Sequence, residues 1–173
     1  LYKEIVPKTV DEYLEFIQKA KDQDELQLLM NPAWHVHNGN CPDEEMIMSF
    51  SMLLNLVETS NADTKELLWK FVKKYKKGIK EENHPIFDNL ISYAIKYFND
   101  VIKLQKKYKK PNSEEKKALE ALLKNLDKCN DQMSPEEIQT LIYSTGKENG
   151  YSENLRDWFK LIYEVVFGDE NGP

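Results

Sequence analysis

The chain has 173 residues, 40% of them apolar and 31% charged, with a net charge of −6. That is enough chain for one sizeable core or two lobes, and the acidic balance excludes a nucleic-acid binder that works by bulk positive charge. The longest apolar run, Met46 to Val57, is broken by Ser49, Ser51 and Asn55 and is too short to span a bilayer, while two cysteines, Cys41 and Cys129, make no disulfide framework and point to a reducing cytoplasm.

The six glycines and seven prolines fall between apolar stripes of helical spacing, and no strand-type alternation persists. The expected fold is all-α, a helical bundle of about seven to eight helices. Thr9 and Glu12 have capping-box spacing, so a first helix is expected through Val10, Tyr13, Leu14 and Ile17 to about Lys21, with Pro7 closing off what precedes it. Asp24 to Met30 reads as a second, short helix. Asn31 to Asp43 reads as a loop, with turn formers at Pro32, Gly39 and Pro42. Glu44 to Asn61 reads as a helix apolar on most sides, hence central to the bundle, its methionines serving as core filler. Asp63 or Thr64 caps the next helix, with Leu67, Leu68, Phe71, Val72 and Tyr75 inward and Trp69 off that stripe. Lys70, Lys73, Lys74 and Lys77 lie largely on the opposite face.

After a loop from Gly78 to Asn83, His84 and Pro85 start the longest helix, expected to reach about Lys109 through Leu90, Ile91, Ala94, Tyr97, Phe98, Val101, Ile102 and Leu104. Its basic end, Lys103 to Lys110, suits a helix C-terminus on dipole grounds alone. Pro111 ends that helix and Ser113 caps another, with Leu119, Leu122, Leu123 and Leu126 as its stripe and Cys129 buried at the same spacing. Asn130 to Met133 is a linker. Ser134, Pro135 and Glu137 then open a helix with Ile138, Leu141 and Ile142 on one face. Gly150 ends it, and a last stripe, Leu155, Trp158, Phe159, Ile162, Val165 and Val166, stops at Gly168. The two form a tight helical hairpin.

Charge is unevenly spread. Residues 1–64 carry 4 basic and 12 acidic side chains, residues 65–128 carry 17 and 9, and residues 129–173 carry 3 and 9. The basic middle is either a footprint for phosphates or a solvated lysine face, 23 of the 24 cations being lysine. His35, His37 and Cys41 lack a fourth ligand and a known zinc spacing, so no metal site is expected. Trp34, His35 and His37 either pack within their loop or stack on unpaired bases. No phosphate-cradling glycine loop and no nucleophile elbow is present, so no catalytic residue is expected in this chain.

Several stretches carry a resemblance. They are Pro32-Ala33-Trp34-His35-Val36-His37, the run Phe50 to Ala62, His84-Pro85 and Tyr93 to Phe98. At the end come Glu137 to Tyr143, Gly146-Lys147, Asn154 to Val165 and the Gly-x-x-x-Gly-Pro pattern of Gly168 to Pro173. In that order they resemble the C-terminal end of class I lysyl-tRNA synthetases, and the last pattern is similar to the related glutamyl-type helical anticodon domains. The resemblance implies a fragment of a longer enzyme, truncated at its end, with an α-helix cage as its fold. Residues 1–30 would be connector helices after an absent catalytic domain, 31–133 a helical tRNA-contacting domain, and 134–173 the C-terminal hairpin of the anticodon-binding region. The parent would join lysine to its tRNA with ATP and magnesium. The two ATP signatures of such enzymes, His-x-Gly-His and Lys-Met-Ser-Lys-Ser, are absent here, so this piece has no catalytic site and no cofactor of its own. Its expected partner is a lysine-accepting tRNA, its expected state a monomer. The phosphate candidates are Lys70, Lys73, Lys74, Lys77, Lys106, Lys107, Lys109 and Lys110. Lys147 and Arg156, the single arginine, sit in the hairpin, where Arg156 either forks onto phosphate or a base edge or pairs with a carboxylate. Amphipathicity by itself also allows a helical protein-interaction module without RNA binding.

Overall fold

The computed structural model describes residues 2–130 and 132–172, with the side chains of residues 2–4 left aside. Asp131, in the expected linker, and Pro173, in the last resemblance word, lie outside the described residues. Among the described residues every regular element is helical, as expected. The chain divides into two compact units, Leu1–Gln105 and Lys106–Pro173.

The first unit opens with α1, Tyr2–Ala20, which contains Pro7 rather than starting after it. Thr9 does not cap; its hydroxyl donates to the Ile5 carbonyl one turn back, at 2.9 Å. Asp24 caps α2, Glu25–Leu29, in a reciprocal box with Gln27. The expected loop at Asn31 contains a further helix, α3, Pro32–Val36, because Asn31 accepts from the Ala33 N–H and Pro32 takes the first turn. The central helix, α4, is Phe50–Ser60, capped by Ser49, and thus shorter than expected. Residues 44–49 lie outside the helix, and Ile47 and Met48 are buried all the same.

Thr64 caps α5, Lys65–Tyr75. Trp69, expected off the inward stripe, is 1% exposed, whereas Tyr75, expected inward, is 65% exposed. A half-buried acceptor explains the swap: the Trp69 indole N–H donates to Asp88 Oδ1 at 3.0 Å, and its ring meets Phe87 edge-on at 5.5 Å. Then α6, Pro85–Tyr97, runs into a π turn, Phe98–Ile102, and a last short turn, α7, Lys103–Gln105. The helical run therefore stops at Gln105, and Leu104, expected inward, is exposed.

Helices α1, α4, α5 and α6 enclose the first core, in which Leu53, Leu68, Val72, Phe87, Ile91 and Ala94 are fully buried. Each large apolar side chain so buried contributes roughly 1.5–3 kcal/mol. Two distant carboxylates tie the helix starts together. Asp11 of α1 accepts from the Phe50 N–H at 2.5 Å and from Ser51 N–H and Oγ, capping α4. Glu44 accepts from the Ile86 and Phe87 N–H groups, both at 2.7 Å, capping α6.

The second unit holds α8, Ser113–Leu126, α9, Pro135–Gly146, and α10, Leu155–Ile162. Asn112, one residue earlier than expected, caps α8 in a box with Glu115. The Ser134–Glu137 box opens α9 as expected. Gly150 turns the hairpin at φ 97°, and Gly168 ends the last helical turn, Tyr163–Phe167. Trp158, Leu161, Ala118 and Leu122 form the second core, while Leu123, expected inward, is exposed. Cys129, expected buried, is half-exposed. Thr145, fully buried, joins two helices: its hydroxyl donates to the Leu141 carbonyl at 2.8 Å and accepts from Asn125 Nδ2 at 3.0 Å.

Candidate nucleic-acid interface

In the first unit the basic residues grow out of α5. Lys70, Lys73 and Lys74, with Lys77 just beyond the helix end, follow three- and four-residue spacing and share one flank. All four are exposed. Lys73 is engaged: its ammonium lies 2.6 Å from Glu81 Oε1 and 5.9 Å from the Trp69 ring centre. Lys70, Lys74 and Lys77 meet no carboxylate within 4.0 Å among the described residues. Behind them, Asp88 receives Trp69 and Lys65. Burial works to raise the Asp88 carboxyl, but the hydrogen bonds from Lys65 and Trp69 outweigh it and hold it below the usual carboxylate range.

The Trp34–His37 stretch is taken up by neighbouring residues. Trp34 is half-buried, and a Cβ added at Gly39 would stand 3.2 Å from its ring. His35 is exposed and donates through Nε2 to the Leu29 carbonyl at 2.8 Å. His37 shares a 2.6 Å hydrogen bond with the Tyr13 hydroxyl and stacks on that ring. Burial, and then the neighbouring Cys41, push the Tyr13 hydroxyl up from its ordinary value. No cluster of three or more metal-ligating side chains occurs among the described residues.

The second unit begins with a strongly cationic stretch outside any helix, Lys106 to Lys110, then Pro111. Its backbone is fastened to the last helical turn: the Lys107 N–H donates to the Gly168 carbonyl at 2.9 Å and the Lys109 N–H to the Glu164 carbonyl at 3.0 Å. These carbonyls belong to the acceptors that a helix C-terminus leaves open. Gly168 sits at φ +65°, and a Cβ there would stand 3.1 Å from Lys106 Cβ and 3.2 Å from the Lys107 nitrogen. Lys109 turns inward, its ammonium 2.8 Å from Glu115 and 3.4 Å from Glu164. The hydrogen bond to Glu115 is the largest reason its ammonium titrates above the ordinary lysine value. Glu115 is pulled below the carboxylate range by Lys109 and by the Asn112 N–H.

Lys107 and Lys110 are exposed, Lys106 is half-buried with an interaction of its own, and Lys147 is exposed on the hairpin turn. Arg156 is exposed on α10 and, among the described residues, pairs with no carboxylate within 4.0 Å. It lines a hollow of about 440 Å³ with Asn154, Phe159, Tyr163 and Asn171. Trp158 instead fills the core, its indole N–H donating to the Ile142 carbonyl at 3.0 Å. The site candidates thus fall on both units. One residue absent from the sequence candidates is Tyr108, 58% exposed; its signal is the aromatic ring inside Lys-Lys-Tyr-Lys-Lys. No helix among the described residues is long and apolar enough to cross a membrane.

No protein-family model matches the chain, and no solved structure does. Curated relatives match from end to end. A lysine–tRNA ligase of Roseobacter denitrificans is 38% identical over 173 residues, covering 100% of this chain and 32% of that protein. Those of Rickettsia peacockii and Rickettsia africae are each 39% identical over 175 residues, covering 100% of this chain and 33% of theirs. The chain therefore spans about a third of the length of the curated relatives it matches, and its likeness to lysine–tRNA ligases runs through both compact units.

Proposed function

We propose that this chain is the C-terminal, tRNA-gripping part of a class I lysine–tRNA ligase. In this reading residues 1–30 connect to the catalytic domain, 31–133 contact tRNA and 134–173 belong to the anticodon-binding region. The observation that carries it is the end-to-end likeness, at 38–39% identity, to a third of proteins named lysine–tRNA ligase. An all-helical scaffold with lysines left free of carboxylates supports it. ATP and magnesium belong to the rest of the parent, which would adenylate lysine and pass it to the tRNA end. Here the work is binding: Lys70, Lys74, Lys77, Lys107 and Lys110 answer phosphates, and Arg156 offers a planar fork to a base edge or phosphate. Partner and compartment follow from the same reading: a lysine-accepting tRNA, bound by a monomer in the cytoplasm.

The experiment is a salt titration of the chain with transcribed lysine tRNA, read by fluorescence anisotropy. Affinity is expected to fall steeply and linearly on a log–log plot, with a slope of roughly −0.7 to −0.9 per phosphate contacted. Affinity that ignores salt, or is missing at low salt, counts against RNA binding. An upstream reading frame is expected to encode His-x-Gly-His and Lys-Met-Ser-Lys-Ser.

One observation favours a second reading, a protein-interaction module. Leu26 and Leu29 on α2, Met30 just after it and Val36 on α3 are all more than half exposed, an apolar set of the kind a protein surface covers. Retention of a protein with no RNA affinity at any salt would select it.

A further inference from the structure

Resting on the tRNA-binding reading, we infer that the strap Lys107–Lys110 is a platform for unpaired RNA, with Tyr108 stacking on a base and Lys107 and Lys110 holding the flanking phosphates. With Lys106 before it the strap makes five consecutive residues with four lysines, which repel one another and are expected to stay loose. This stretch is fixed instead. Its inner side is consumed by structure: two backbone N–H groups close the carbonyls of the last helical turn, and Lys109 neutralises Glu115 and Glu164. The outer side is left to Lys107, Tyr108 and Lys110, all exposed. Neither outer lysine meets a carboxylate within 4.0 Å among the described residues.

Tyr108 is held from below. Its Cδ1 would lie 3.3 Å from a Cβ on Gly168, so the glycine lets the ring settle against the helix end while 58% of the residue stays open. A ring braced on one side and wet on the other, between cations on a pinned, non-helical backbone, is the arrangement by which single strands are held: stacking for bases, ammonium groups for phosphates. Ordering is complete before RNA arrives, so its entropic cost does not weaken binding. A duplex, with its bases paired and stacked, presents no open face to one ring, which selects loops and ends.

The test uses the whole chain with two probes, transcribed lysine tRNA and an oligouridylate of roughly ten nucleotides, a length within known single-strand site sizes. Tyr108→Ala is expected to weaken both about tenfold, in line with the loss of one base–aromatic stack. Tyr108→Phe keeps the ring and is expected to bind within about twofold of wild type on the same scale. Lys107→Gln and Lys110→Gln are each expected to lower the salt slope by roughly 0.7. Circular dichroism melts should move little, because these side chains are exposed. If wild type binds tRNA and Tyr108→Ala binds equally well, the platform is overturned and the tRNA reading stands. The platform is also overturned if Tyr108→Phe is as weak as Tyr108→Ala. If wild type binds neither probe at low salt, the tRNA reading falls and the platform falls with it.

Discussion

Replacing Gly146 by alanine tests how the second unit is held together. A Cβ at Gly146 would stand 2.5 Å from Trp158 Cδ1, 2.7 Å from Cγ and 2.8 Å from Nε1, all inside van der Waals contact. The ring has nowhere to retreat: Trp158 is fully buried and its indole N–H is engaged with the Ile142 carbonyl. Overpacking of this kind costs about 1–3 kcal/mol, and displacing the ring strands a buried donor for a further 1–3 kcal/mol or so. Against this, alanine in a helix gains roughly 0.8–1 kcal/mol over glycine. The net expectation is a loss of about 1–5 kcal/mol, the larger effects winning over propensity. Urea unfolding followed by tryptophan fluorescence measures it, and the native emission of Gly146→Ala should also shift as Trp158 loses its buried position. Equal or greater stability would refute the reasoning, because propensity would then have outweighed a contact that had to be open.

Three other outcomes are expected. Trp69→Phe keeps most of the ring but removes a donor from Asp88; a loss of about 1–3 kcal/mol is expected in urea midpoints, together with an Asp88 carboxyl that titrates higher. Glu115, held below the ordinary carboxylate range, contributes stability above its unfolded pKa that is lost as pH falls through the folded value; Glu115→Gln should flatten that acid limb while the Asn112 box persists. Replacing Lys70, Lys74 and Lys77 together by glutamine should lower the tRNA salt slope by roughly two units and leave the melting temperature unchanged, whereas an unaltered slope would make that face plain solvated surface.

Much of the helical layout was legible in the residues, and the misreadings have physical reasons. Capping boxes are local, so Ser134 with Glu137 and the Asp24 start were readable directly. A simpler start, an Asn31 cap followed by Pro32 in the first turn, opens α3 but was hidden among turn formers. Ile47 and Met48 bury themselves outside a helix as fully as in one, so apolarity alone placed the start of α4 too early. There, beside the local Ser49 cap, the helix start is held by Asp11, about forty residues away, of which local pattern carries no trace. Trp69 went inward because Asp88 waits for its N–H, which periodicity does not register. The long basic helix was extended past Gln105 because lysines favour a helix end; the strap took them to another helix's end instead. As for the binding candidates, sequence pointed to the lysines, while only the fold separated Lys73 and Lys109, which are spent on carboxylates, from Lys70, Lys74, Lys77, Lys107 and Lys110.

The most direct test of the account compares two RNAs: lysine tRNA, and the same tRNA with its anticodon replaced, titrated against the whole chain at one salt concentration. The expected result is weaker binding of the altered RNA by a factor on the order of ten, since the hairpin region is assigned to unpaired anticodon bases. Equal affinity for both would contradict anticodon recognition, and no affinity for either would contradict RNA binding by these helices.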